Sequence, residues 1–441
     1  MPRISIIGAG GYVFPLTLIR DICCFPALRS STISMMDIDP DRLERNADGA
    51  RKLIKQFDLP TKIEATTDRR QSLAGADFVV VTYQVGGLEA YTQDIMIPRE
   101  YGIDQPVGDT MGPGGVFRGL RTIEVLKGLC ADMRELCPDA LMLNYANPMA
   151  INTWAAFALG VKVVGLCHSI QGTSWLLANE IGVPVEECNY RAAGFNHQAW
   201  FIQFERRGED LLPKIRETVL RRHVTGEAAG ERSTDLYAGG NERVRGELLQ
   251  LTGYFHSESS HHGSEYAPWF RKDPATVEEY LPRRWDYYDI CCNHDEESYV
   301  ANFLKGAQER GLKPGQEYGS YIINSITSGE RCVIHGSVRN DGLITNLSQG
   351  CAVEVPCLVD ANGLQPTHIG DLPAACAAVN RACISVHELA VKGGLAGDRA
   401  LVHAAVAMDP LTGALCTLPQ IREMVDRLFE AQKQWLPSFH R

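Results

Sequence analysis

A chain of 441 residues is too long for one small core, so two domains or one large α/β unit are expected. With 45 % hydrophobic and 22 % charged residues, the composition is that of an ordinary soluble globular protein. The net charge of −11 disfavours a nucleic-acid partner or an anionic membrane surface, since either would want a basic face.

The chain opens "MPRISIIGAGG", a short apolar run that passes straight into glycines and reads as neither signal peptide nor membrane span. "RISIIGAG" reads as a strand entering a glycine turn, and "STISMMDID" as a second strand with acids at its end. "DRLERNADGARKLIKQF" follows as a helix. "ADFVVVTYQ" is a continuous apolar strand of the kind buried on both faces. In "FRGLRTIEVLKGLCADMRELC", Leu120, Ile123, Leu126, Leu129, Met133 and Leu136 recur at helical spacing. "ALMLNYANP" and "VKVVGLCHS" complete an alternation of strand and helix that predicts a parallel, doubly wound, Rossmann-like sheet over 1–195.

Beyond 195 the pattern is mixed and more polar, with a loop-like stretch at "HSESSHHGSEY". Strands return at "ERCVIHGSVRN" and "CAVEVPCLVD", and helices at "RALVHAAVAM" and "LPQIREMVDRLFEAQKQWL". Residues 196–441 are therefore expected to form a mixed α+β domain for substrate binding and oligomerisation, packed closely on the first. The fourteen cysteines are irregularly spaced and contain no C-x-x-C. That is neither a disulfide framework nor a structural zinc site, so a reduced, cytoplasmic compartment is expected, with most cysteines serving as core hydrophobes.

"IIGAGGYVF" places Gly8-x-Gly10 at the end of the first strand, where glycine allows close backbone approach to a pyrophosphate at the next helix. The third position of that fingerprint is Val13, not glycine. Asp37 stands at the distance expected for a hydrogen bond to a ribose 2′-hydroxyl, and its carboxylate would repel a 2′-phosphate, which favours NAD over NADP. Gly8, Gly10, Gly11, Tyr12, Asp37, Thr82 and Asn144 make up the candidate cofactor-binding set. A solvated acid at a strand end is the plainer reading of Asp37.

Ligands of a doubly wound sheet gather outside the carboxyl ends of its strands, where Asn147 and Cys167 both lie. "GFNHQAW" adds His197, and a Cys–His pair there could hold a metal whose remaining positions fall to water or substrate. Ligand softness alone points towards zinc or iron. A buried core cysteine is the alternative.

The stretches "GDTMGPGG", "MLNYANPMAINTW", "VGLCHSIQGT", "GFNHQAW", "ESSHHGSEYAPWF", "SVRNDGLITNL", "CLVDANGLQPT" and "AAVAMDP" together resemble glycoside hydrolase family 4, whose members depend on NAD and a divalent metal. The resemblance covers essentially the whole chain and is nearest to bacterial α-galactosidases. It implies that Cys167 and His197 hold manganese, that thiol-reducing conditions are needed, and that family members assemble as homodimers or homotetramers. Cys-His-Ser, in place of the Cys-Asp or Cys-Asn of 6-phosphoglycosidases, implies that His168 protonates the leaving oxygen. Tyr91 aligns with an arginine that grips phosphate in those branches; lacking its fork, tyrosine implies an unphosphorylated sugar.

The resemblance further implies an unusual hydrolysis: oxidation at C3, loss of the C2 proton, elimination of the aglycone, water addition and re-reduction. This departs from the two-carboxylate mechanism of most glycosidases. His262 and Tyr266 are the candidates for the C2 base, Asp109 for a carboxylate that raises its basicity, and Asn147 for binding sugar hydroxyls. The expected substrate is a small-molecule α-galactoside. A related unphosphorylated α-glucoside or α-uronide is the nearest alternative, and a 2-hydroxy-acid dehydrogenase, which would not need Cys167, the next.

Overall fold

The computed structural model describes residues 1–225, 242–282, 286–293 and 298–439. Its strands are β1 (Arg3–Ile7), β2 (Thr32–Met36), β3 (Lys62–Thr66), β4 (Phe78–Val81), β5 (Leu141–Asn144), β6 (Val163–Gly165) and β7 (Cys188–Phe195). They continue as β8 (Gln198–Arg206), β9 (Glu209–Asp210), β10 (Phe255–His256), β11 (Cys332–Arg339), β12 (Ala352–Asp360) and β13 (Gly363–Pro366). One sheet takes them all, in the order β10-β8-β7-β12-β11-β6-β5-β4-β1-β2-β3, with β13 beside β12 and β9 beside β8.

The six N-terminal strands run parallel in the order 3-2-1-4-5-6. This is the doubly wound, Rossmann-like arrangement read from the alternation, with its switch point between β1 and β4. All four residues of β4 are buried, as its unbroken apolar run requires. The second half is mixed α+β, and it extends the first half's sheet. Strand β11 adds antiparallel to β6, β12 to β11, and β7 to β12. A single register row, Gly165–Ser337–Glu354–Gly194, crosses from one half into the other. The expected division after residue 195 falls in the two-residue turn of the β7–β8 hairpin, between Phe195 and Gln198.

The helix Gly112–Leu136 buries Leu120, Ile123, Leu126, Leu129 and Met133. Against it lies the helix Ala374–Ala396, where a Cβ on Gly394 would stand 2.7 Å from Ile123 Cδ1, so glycine there sets the approach of the two. Arg121 on the first helix makes a fully buried two-pronged ion pair with Asp94, at 2.8 and 2.7 Å. Fork-to-carboxylate pairing fixes angle as well as distance, which ties the helix Gly87–Arg99 to the one beside it. All fourteen cysteines are free thiols. No helix among the described residues is long and apolar enough to cross a membrane.

Candidate active site at the carboxyl ends of the strands

The turn after β1 needs its first glycine. Gly8 has φ +93°, and a Cβ there would stand 2.6 Å from the Tyr83 backbone nitrogen. Gly10 is equally confined, between Arg42 and Asp37, and donates its N–H to Asp37 Oδ2 at 2.8 Å. Asp37 thus closes the glycine turn from the end of β2, while its other oxygen accepts from Asp39 N at 3.1 Å. Asn46 caps the carbonyls of Ala9 and Gly11 at 2.7 and 2.8 Å. Tyr12 is half-buried under the Arg45 guanidinium, 4.4 Å from its ring centre, and against Tyr299 from the second half. Thr82 turns its hydroxyl to the Gly8 carbonyl at 3.0 Å. Asn144 is buried, and its amide is spent on Ala146 in the loop after β5, whose N–H it accepts at 3.1 Å, and on Thr153 Oγ1 of the helix Met149–Ala158 at 3.2 Å; it ties that loop to the helix. Val13 is exposed.

Cys167 lies just past β6, where the chain turns into the helix Ser169–Glu180, and its sulfur accepts from Ser169 N at 3.5 Å. His197 sits in the tight β7–β8 turn with φ +62°, a left-handed conformation rare outside glycine and costing roughly 1–2 kcal/mol. Such strain persists only where surrounding structure enforces it. The turn brings the imidazole to Cys167: ligand atoms of Cys167, His197 and Glu258 all lie within 4.8 Å of one another. The His197 Nδ1 pairs with Tyr266 Oη at 2.8 Å, which directs Nε2 towards Glu258 Oε2, 3.8 Å away. Burial pushes the Cys167 thiol up, and the carboxylates of Glu354 and Glu258 push it further. A thiol, an imidazole and a carboxylate massed in this way are a donor set that suits a divalent cation, whose charge would reverse that tendency.

A second group borders the first. His262 packs edge-on against His197 with ring centres 4.6 Å apart, and its Nε2 lies 3.6 Å from Asp109 Oδ1. Burial, then neighbouring His197, lowers His262 to about 4. Asp109 accepts from Asn147 Nδ2 at 2.8 Å. Burial would raise its carboxyl, but Arg118, then His262, His197 and Asn147, hold it below the usual range. The glycines of "GDTMGPGG" let this loop lie directly on the helix it precedes, since a Cβ on Gly115 would meet Thr110 C at 2.3 Å. Glu265 clamps the loop from the other side, accepting from Val107 N at 2.8 Å and Gly108 N at 3.0 Å.

His168 is exposed, with Nδ1 3.6 Å from Glu317 Oε1. Tyr91 is buried and donates its hydroxyl to the Val107 carbonyl at 2.5 Å. Sequence reasoning missed Glu258, Arg118, Glu317 and Glu354. Arg118 reaches the Asn147 carbonyl at 3.3 Å and Gln84 Oε1 at 3.2 Å; its position at the start of a helix carried no periodic signal of its own.

Burial, opposed first by Arg271, raises Glu265 from 4.5 to about 7. The folded state therefore holds this proton where the unfolded chain has released it. Stability from this group is whole below about 4.5 and is lost as pH rises through about 7. Replacing Glu265 with Gln should flatten the fall in Tm between pH 5 and 7; an unchanged slope assigns that fall to other groups.

Residues 3–183 match the family described as "Family 4 glycosyl hydrolase", and residues 192–412 match its C-terminal domain. The chain belongs to glycosyl hydrolase family 4. It is 35 % identical to an α-galactosidase of Rhizobium meliloti, over 99 % of this chain and 89 % of that one. It is 34 % identical to an α-galactosidase of Bacillus subtilis over the full length of both. A 6-phospho-α-glucosidase from gut microorganisms, solved in complex with NAD and Mn2+, shares the fold. Its TM-score is 0.80 at 19 % identity, over 99 % of each chain. This family 4 chain is a glycoside hydrolase, which displaces the dehydrogenase reading.

Proposed function

We propose that this family 4 enzyme hydrolyses α-galactosides with NAD and a divalent metal. The observation that carries the reading is the meeting of Cys167 and His197 outside the strand ends, beside a glycine turn closed by Asp37. The α-galactosidases at 34–35 % identity supply the sugar, and the neighbour solved with NAD and Mn2+ supplies the cofactors. The chemistry supplied by these groups when bound would be a hydride acceptor and donor for C3, from NAD, and a Lewis acid for the C3 oxygen, from the metal.

The chain's own groups do the rest. Cys167 and His197 would hold the metal, with Tyr266 orienting His197 through Nδ1. His262 takes the proton from C2, because it is a buried ring whose Nε2 has no hydrogen-bond partner among the described residues and faces the Asp109 carboxylate that would stabilise its charged form. The buried Tyr266 hydroxyl, committed to His197, is placed to orient and not to abstract. His168, exposed beside Glu317, gives its proton to the departing oxygen. Asn147, anchored on Asp109, orients sugar hydroxyls. Tyr91, with its hydroxyl closed on the backbone, offers no fork for a phosphate, which favours the unphosphorylated sugar.

Hydrolysis of p-nitrophenyl α-galactoside, with NAD+, Mn2+ and thiol omitted in turn, tests this. Activity should vanish without either cofactor, with no net NADH formed. Turnover persisting after exhaustive removal of NAD would overturn the redox route, and hydrolysis of only the α-glucoside or α-galacturonide would move the substrate.

A further inference from the structure

Two protein ligands from the chain leave a metal loosely held, and a sulfur with an imidazole favours soft cations over manganese. The third member of the cluster answers both points. We propose that Glu258 is a protein ligand of the cation held by Cys167 and His197, an inference that rests on reading this cluster as the metal centre. Glu258 Oε1 accepts from Ser259 N at 2.8 Å, which fixes the carboxylate with Oε2 turned to His197 Nε2, 3.8 Å away. Among the described residues His197 is its only ion-pair partner, so no arginine or lysine answers its charge. The side chain is only 14 % exposed, and a carboxylate so far removed from water needs a counter-charge. Bonds of about 2.0–2.3 Å to oxygen, nitrogen and sulfur put two donors of one ion at most about 4.5 Å apart. Only opposed donors reach that limit, and neighbouring ones stand roughly 3–4 Å apart, so donors all within 4.8 Å of one another close on a cation with shifts of up to about an ångström.

The site then has one soft, one intermediate and one hard donor from the chain and keeps open positions for substrate oxygens. The hard donor is what tilts it towards manganese.

The test is Mn2+ titration of metal-free, full-length, NAD-loaded protein without substrate, following the free Mn2+ signal by electron paramagnetic resonance. Glu258→Gln should weaken Mn2+ binding at least about 10-fold, the low end for losing even an outer-shell partner. It should weaken Zn2+ binding less, so the preference for Mn2+ over Zn2+ falls. Glu258→Asp, which keeps a carboxylate, should restore part of the loss, and far-UV circular dichroism with NAD binding controls for folding. A Glu258→Gln variant that binds Mn2+ like the parent overturns the ligand role; if it has also lost turnover, the carboxylate belongs to proton transfer instead. Should the parent chain itself bind no Mn2+, it is the metal-centre reading that fails.

Discussion

Replacing Cys167 with serine should reduce Mn2+-dependent turnover by more than about 100-fold, beyond the range seen when only an outer partner of a metal ligand is lost. A serine hydroxyl is of similar size but does not become an anion beside a divalent cation as a thiol does. The fold should survive. The sulfur is half-buried and makes one long bond, to Ser169 N at 3.5 Å, so little packing goes with it. Turnover against added Mn2+, together with Tm, checks both halves of the expectation. A variant with parental activity would return this cysteine to the role of a core residue.

The second large effect is expected at His262. His262→Asn should lower kcat by about 10²–10⁴, the usual worth of a positioned general base, while Mn2+ binding stays near the parental value. In D2O the parent's product should carry deuterium at C2, and the variant should exchange there far more slowly. Tyr266→Phe should do the opposite: it frees His197 Nδ1 and weakens Mn2+ binding, with C2 exchange preserved once metal saturates. If Tyr266→Phe abolishes exchange and His262→Asn does not, the two residues trade roles.

Much of the architecture was legible from local pattern. The runs that became β1, β2, β4, β5 and β6 are apolar because both faces are covered, and the leucine spacing of Gly112–Leu136 marks its buried side. Strand β3 escaped because it lies at the sheet edge, where Lys62 and Glu64 are exposed and no apolar run is needed. The helix Ala374–Ala396 escaped for a different reason: its buried face runs Cys376, Asn380, Cys383, His387, Ala390 and Gly394 at helical spacing, but small and polar residues make it up, so it carries little hydrophobic contrast. The antiparallel additions beyond β6 are long-range pairings, which composition does not encode.

The site divides in the same way. Gly8 and Asp37 announced themselves because a glycine turn and a strand-end acid are local features, whereas Asp109 came from the resemblance. Cys167 and His197 needed both the topology and the resemblance. Glu258 lies in a polar stretch read as a loop, and its partners come from distant segments, so no spacing could join it to them. Tyr266 was visible as a residue type, but its bond to His197 exists only in the folded chain.

The row Gly165–Ser337–Glu354–Gly194 has a consequence for how a sugar enters. The segments that deliver Cys167 and His197 are laced into the same hydrogen-bonded plane, so their spacing is set when the chain folds and not when ligand arrives. Any gating must then belong to the loops over the crevice, and a rigid-body swing of one half against the other would have to tear backbone pairing to happen.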